Sequence, residues 1–185
     1  MAVPIKILGF GGSFRKGSYS KAILNAAKEL APKDSVIEIF DIKDIPLFNQ
    51  DHEATPPESV SMFKKKIKDA DAILISTPEY NYSIPGYLKN AIDWASRPYG
   101  DNSFEGKPVA LMSSSGGMLG GSRAQYHLRQ ALVFLNMHPI NKPEVIIPAV
   151  HEKLDANGKL IDPMTKGKII ELITALSEWS RQLKK

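Results

Sequence analysis

The run AILIS at residues 72–76 is apolar at every position but the last. Such a strand has no face to offer water, so it belongs inside a sheet covered on both sides, as parallel α/β sheets are. The rest of the chain repeats this punctuation. Residues 3–10 form a short apolar strand closed by Gly11 and Gly12; residues 36–40 (VIEIF), 109–113 and 144–148 (EVIIP) supply three more. Helical patterns lie between them. Ala22, Ile23, Ala26, Ala27 and Leu30 fall at helical spacing within 19–31. Further helices are predicted over 58–69, 86–96 and 121–136, and a last amphipathic one opens at Asp162-Pro163 and carries Ile169, Ile173, Leu176 and Trp179. Ser18 or Ser20 suits the first helix as N-cap. Thr55-Pro56-Pro57-Glu58 reads as a capping box with proline at the first helical position.

Strands alternating with helices define an α/β chain: a doubly wound five-stranded parallel sheet, three layers deep, with right-handed crossovers. The common order for five strands is 2-1-3-4-5, and ligands bind at the carboxyl ends of the strands, near the switch between the first and the third. No repeat or linker divides the chain, so residues 1–185 are read as one domain, long enough to bury about 70% of its unfolded surface. The topology singles out the loops after strands one, three and four.

Composition narrows the chemistry. Cysteine is absent, and His52, His127, His138 and His151 are scattered without ligand spacing. Thiolate catalysis, disulfides and a metal site are therefore not expected, and any redox chemistry needs an organic cofactor. The net charge is +4, and much of the excess lies in KKKIK at 64–68 and in Lys184 and Lys185. These are read as solvated helix surface and tail, because no nucleic-acid motif accompanies them. No apolar stretch of about 18 residues is present, so no membrane insertion is expected. The first residues lack a basic signal-peptide region, and a cytoplasmic location is expected.

The loop GGSFRKGSYS, residues 11–20, resembles two nucleotide motifs and satisfies neither. Phe14 stands at the third glycine of G-x-G-x-x-G, and Ser18 at the lysine of the P-loop. What remains is Ser13, Arg15, Ser18 and Ser20 with free amides at a helix N-terminus, a set that can ring a terminal phosphate monoester. The second loop, TPEYNYSIPG, sets backbone amides of residues 79–83 and the rings of Tyr80 and Tyr82 where a flat polar ring could lie, and Pro85-Gly86 turns into the next helix. Glu79 could be a general acid or base, or could hold a backbone amide. The third loop, SSSGGMLGGSR, has four glycines in residues 116–121, which permits close backbone approach to a planar ligand. A phosphate cup with two walls for a planar heterocycle describes a mononucleotide such as FMN.

GSFRKGSYS, TPEYNYSIPGYLKNAIDWASR and GGSRAQYHLRQALVFL…NKPE together resemble the NADPH-dependent FMN reductase family, nearest its quinone- and chromate-reductase branch. The resemblance implies a flavodoxin-like fold, bound FMN, NADPH or NADH as hydride donor, and small-molecule electron acceptors. Quinones would be the main acceptors, with azo dyes, free flavin or chromate as side substrates. Hydride passes to the flavin, the nicotinamide leaves, and the acceptor enters the same cleft in a ping-pong cycle. The family's phosphate cup falls on Ser13, Arg15, Ser18 and Ser20, where close relatives often carry asparagine in place of Ser20. Its ring loop falls on Pro78, Glu79, Tyr80, Asn81 and Tyr82, and its glycine loop on Ser114, Ser115, Gly116 and Gly117, with Gly120 and Gly121 beyond. The resemblance also implies a homodimer or homotetramer, with Arg123, Tyr126 and Gln130 on one helical face as interface residues. Two other readings compete: a flavodoxin-like electron carrier serving a protein partner, which the basic charge disfavours, and a nucleotide-binding regulatory module without flavin.

Overall fold

The computed structural model describes residues 3–184. Its strands are β1 (Ile5–Gly11), β2 (Ser35–Phe40), β3 (Ala72–Thr77), β4 (Pro108–Ser114), β5 (His138–Pro139) and β6 (Val145–Ile147). They form one parallel sheet in the order β2-β1-β3-β4-β5, with β6 also pairing to β4. This is the flavodoxin-like doubly wound order, with its switch point between β1 and β3.

Burial follows the two-residue period of the strands. On β3, Ile73 and Ile75 enter one core with Phe10, Phe63, Trp94 and Phe104, beneath α2 (Glu58–Asp69), α3 (Gly86–Ala95) and α4 (Ser122–Phe134). Ala72 and Leu74 enter the other with Ile7, Leu24, Met112 and Ile173, beneath α1 (Tyr19–Glu29) and α5 (Pro163–Leu183). All positions of β3 and β4 are buried, which accounts for the apolar runs Ala72–Ile75 and Pro108–Met112; only their carboxyl ends, Ser76-Thr77 and Ser113-Ser114, are polar.

Three local expectations are corrected. The fifth strand is split: β5 lies beside Pro108 and Val109, and β6 lies beside Met112 to Ser114. Pro139 and Pro143 cannot donate to a ladder, which confines this segment to short edge pairings. The capping box does not form, since Pro57 itself is the N-cap of α2 and no side chain caps that end. Finally, KKKIK is not simply a solvated face. Lys64 is only 7% exposed, on the same helical face as Val60, Phe63 and Ile67. Its ammonium donates to the Arg97 carbonyl and, at 2.7 Å, to Asp101 Oδ2. Lys65, Lys66 and Lys68 pair with Asp69, Glu38 and Asp101. Among the described residues, no helix is long and apolar enough to cross a membrane.

Candidate functional site

The carboxyl ends of β1, β3 and β4 converge at the switch point, and each carries one of the three loops. The loop after β1 buries Ser13, Ser18 and Ser20, at 3%, 5% and 0% exposure. Ser18 is the N-cap of α1, its Oγ accepting the Lys21 amide at 3.2 Å. Ser20 Oγ lies 3.1 Å from Ser18 Oγ, so one of the two donates to the other and the remaining proton is free for a ligand. Arg15 folds over the ring of Tyr19, 4.8 Å from its centroid, which holds the guanidinium at the helix N-terminus. Cation and helix dipole there both favour an anion.

The loop after β3 is a tight hairpin. Tyr80 and Ser83 exchange both backbone hydrogen bonds at 2.9 Å, around Asn81 (φ 50°) and Tyr82 (φ 66°). Two consecutive positive φ values make a type I′ turn, a conformation that Asn tolerates and Tyr rarely adopts. With the amides of Tyr80 and Ser83 used inside the turn, those of Glu79, Asn81 and Tyr82 are left without a backbone partner. The turn is fastened to α4 by side chains. Glu79 Oε2 accepts the amides of Arg123 and Ala124 at 3.1 and 3.3 Å, and Ser83 Oγ is hydrogen bonded to His127 Nδ1 at 3.0 Å. The Arg123 guanidinium lies over the Tyr82 ring at 3.6 Å.

The glycine loop after β4 contains two kinds of glycine. Gly120 (φ 56°) is buried so tightly that a Cβ would stand 2.8 Å from Ile146, Ile147 and Pro148 atoms. Gly116 is open, its nearest neighbour being His151 Nδ1 at 3.8 Å from a built Cβ. The loop backbone is pinned from below: Val150 and Ala149 donate to the carbonyls of Ser115 and Gly117 at 3.1 and 3.2 Å.

These elements enclose a cavity of about 340 Å³, at the small end of ligand pockets. Ser13, Arg15, Ser18, Ser20, Pro78, Glu79, Tyr80, Ser114, Ser115 and Gly116 all line it, together with Tyr19. Asn81 and Tyr82 flank it on the exposed turn, while Gly117 and Gly120 lie outside the lining. The residues present fit a flavin mononucleotide: a donor-rich cup at a helix N-terminus, a glycine wall with no side chain in the way, and one unanswered donor. That donor is Ser114 Oγ, buried in the wall and without a hydrogen-bond partner. A buried orphan hydroxyl costs about 1–3 kcal/mol unless something answers it.

Sequence reasoning missed the brace between the first two loops. Phe14 stacks on Tyr87 at 4.2 Å, and Tyr87 meets Tyr80 edge-on at 6.5 Å. Burial, and then the neighbouring Tyr80 phenol, push the Tyr87 hydroxyl up to about 12. Of the residues proposed for an interface, Arg123 and Tyr126 are engaged within the chain, Tyr126 with Glu144 at 3.2 Å, and Gln130 is exposed.

Comparison with known proteins agrees with this fold. The family model for NADPH-dependent FMN reductases matches residues 5–152. The chain is 50% identical over 185 residues to an NAD(P)H-dependent FMN reductase of Pseudomonas aeruginosa, covering 100% of each. It is 48% identical to an NAD(P)H:quinone oxidoreductase of Solanum tuberosum, over 97% of this chain and 95% of the other. The solved structure of FerB, a flavoenzyme NAD(P)H:(acceptor) oxidoreductase from Paracoccus denitrificans, superposes with a TM-score of 0.89 at 36% identity, covering 96% of this chain and 98% of its own. A match across most of the chain, with relatives near half identical along nearly its full length, means that the chain belongs to the NADPH-dependent FMN reductase family.

Proposed function

We propose that this protein reduces quinones by a ping-pong cycle in which donor and acceptor use one cleft in turn, with azo dyes, free flavin and chromate as side substrates. As a member of its family it is an NAD(P)H-dependent oxidoreductase with FMN as cofactor. The observation that carries the reading is the orphaned Ser114 hydroxyl in a cavity that also gathers Arg15, three buried serines and the open Gly116.

FMN held here would supply the redox chemistry between nicotinamide and acceptor. The chain binds, orients and shields. Ser13, Ser18, Ser20 and Arg15 would hold the phosphate, helped by the α1 N-terminus. The amides of Glu79, Asn81 and Tyr82 would be the donors for the polar part of the ring, and Ser114, Ser115 and Gly116, with Gly117 next to them, would form the opposite wall. The exposed turn at Asn81 and Tyr82 leaves that side of the cavity accessible to a flat donor or acceptor, which would be held at fixed distance and orientation in place of a bimolecular encounter. Residues 1–185 act as one cytoplasmic FMN-binding domain, assembled as a homodimer or homotetramer. Val133 and Phe134, each 79% exposed beside a groove of about 530 Å³ between α3 and α4, suit contact with a second copy.

The test begins with protein mixed with FMN and desalted. Two oxidised-flavin bands that survive desalting and bleach with NADPH under anaerobic conditions support cofactor and donor together. Initial rates with benzoquinone then give parallel double-reciprocal lines if the cycle is ping-pong. A colourless desalted protein, or one whose flavin NADPH cannot bleach, sinks the proposal.

A further inference from the structure

The loops after β1 and β3 meet on the first turn of α3. Gly12 lies so close to that turn that a Cβ on it would stand 3.1 Å from Leu88 and 3.4 Å from Pro85. Ser13 follows, 3% exposed and lining the cavity. Phe14 comes next and stacks on Tyr87, with ring centroids 4.2 Å apart and planes 25° from parallel. The same Tyr87 ring meets Tyr80 edge-on at 6.5 Å, and Tyr80 lines the cavity from the other loop. Tyr87 itself is not part of the lining. One side chain outside the cavity therefore touches both loops that form it.

The Tyr87 hydroxyl reaches the same two loops. Burial raises the proton affinity of the phenol most, the Tyr80 phenol adds to the rise, and the Ser13 hydroxyl and the Phe14 amide oppose it, as donors to the phenol oxygen do. The cup serines differ in what orients them. Ser18 and Ser20 lie 3.1 Å apart and fix one another, and Ser18 also caps α1. Ser13 is preceded by Gly11 and Gly12, which offer no side chain to hold the segment, so Phe14 is its nearest anchor. That anchor ends on Tyr87.

We propose that Tyr87 is a positioning residue for the cofactor: through Phe14 and Ser13 it aims the phosphate cup, and through Tyr80 it sets the neighbouring wall, so that it governs discrimination between FMN and the flavin that lacks the phosphate. The inference rests on the reading of the cavity as the FMN site. A hydroxyl already held in direction loses less freedom when it donates to an anion, so the affinity gained at the phosphate depends on what stands behind the donor. Riboflavin carries the same ring and ribityl chain without the phosphate, and it reports on the walls alone.

The test titrates the full chain with FMN and with riboflavin, each followed by flavin fluorescence, while melting curves establish that every variant is folded. Tyr87→Phe keeps the stack on Phe14 and removes the hydroxyl. It should weaken FMN binding roughly three- to tenfold, part of the worth of one charge-assisted hydrogen bond, and leave riboflavin binding unchanged. Phe14→Leu removes the stack from the other side and should also lower the preference for FMN. Ser13→Ala combined with Tyr87→Phe should cost less than the two separate effects predict, because both act on one donor. Equal loss of both flavins in either variant means that Tyr87 only supports the fold, and overturns the inference. An unchanged preference in either variant, or strict additivity with Ser13→Ala, overturns it too, and in all these cases the flavin reading stands. If Tyr87→Phe does not fold, Phe14→Leu with and without Ser13→Ala decides in the same way. A wild type that binds riboflavin as tightly as FMN overturns the inference and the phosphate cup with it, and one that binds neither defeats the underlying reading.

Discussion

Glu79 caps a helix from a distant loop: its Oε2 accepts the backbone amide of Arg123, 44 positions later, at 3.1 Å, and its Oε1 lies 3.5 Å from the same residue's guanidinium. Helix α4 has no cap of its own, because its N-cap is Gly121 in the left-handed region. The turn after β3 therefore completes the helix after β4, which ties the two walls of the cavity together. Glu79→Ala should cost about 1 kcal/mol, as loss of an N-cap does. For a chain of this length that is a fall of roughly 2–4 °C in Tm. Glu79→Gln keeps an acceptor oxygen and should recover most of the loss. Melting curves of the three proteins, with FMN affinity by fluorescence quenching, check this; an unchanged Tm for Glu79→Ala would remove the cap from the account.

Tyr82 sits at φ 66° with its ring under Arg123. A β-branched residue cannot hold that backbone without strain, whereas Asn can. Tyr82→Val should destabilise the protein by about 1–3 kcal/mol, and Tyr82→Asn by much less. Both lose the stacked ring, so a difference between them isolates the backbone term. Urea unfolding of the pair measures it, and equal midpoints would mean that the turn relaxes freely.

The two kinds of glycine after β4 separate stability from binding. A methyl at Gly120 meets three atoms at 2.8 Å on a positive-φ backbone, so Gly120→Ala should destabilise by more than about 1 kcal/mol. A methyl at Gly116 meets nothing closer than 3.8 Å, at a position that lines the cavity. Gly116→Ala should melt like the wild type while FMN affinity falls about tenfold or more, equivalent to about 1.4 kcal/mol. Melts with and without FMN distinguish the two.

What was legible in the sequence depended on how far each cause lies along the chain. AILIS declared a doubly covered strand because burial on both faces acts residue by residue. Ser13, Arg15, Ser18 and Ser20 were visible as a donor set because a helix N-terminus gathers neighbours in sequence, and the structure lines one cavity with all four. Long-range pairings left no such trace. Glu79 looked like any loop glutamate, with acid–base chemistry as open to it as an amide contact, since its partners are amides that carry no side-chain signature. Phe14 registered only as a misfit in a glycine motif, and its stack on Tyr87 belongs to two loops brought together by the sheet. Lys64 passed for surface because a lysine run suggests water, although the 3.6-residue period already placed it beside Val60 and Ile67.

Tyr87 ties stability to alkaline pH. Its phenol is pushed up to about 12, mainly by burial, against about 10 in an unfolded chain. The folded state thus favours the neutral phenol. Its contribution is fully present below pH about 10 and is lost as pH rises from there through about 12. Tyr87→Phe removes the ionisation but keeps the ring against Phe14, so its stability should fall less steeply over that window. Unfolding followed across the interval, alongside the tyrosinate absorbance of both proteins, checks the sign; parallel pH curves would contradict it.

Asp101 sets the acid limit of the α2–α3 side. Lys64 first, then Lys68, hold its carboxyl below the usual carboxylate value through hydrogen bonds at 2.7 and 2.5 Å. A depressed folded pKa means stability that is present above the unfolded value of about 3.9 and is lost as pH falls below it. Asp101→Asn removes this dependence and leaves the buried Lys64 ammonium without a counter-charge, with only neutral oxygens, the Arg97 carbonyl and the new amide, to accept from it. Because a buried charge deprived of its partner is the expensive outcome, that variant should lose about 2 kcal/mol at neutral pH. Lys64→Met replaces the buried ammonium with an apolar chain of similar reach beside Phe63 and Ile67, and should fall within about 1 kcal/mol of the wild type. Thermal melts at neutral pH and near pH 3 order the three proteins. A Lys64→Met variant as unstable as Asp101→Asn would mean that the ion pair itself, rather than the cost of breaking it, stabilises this face.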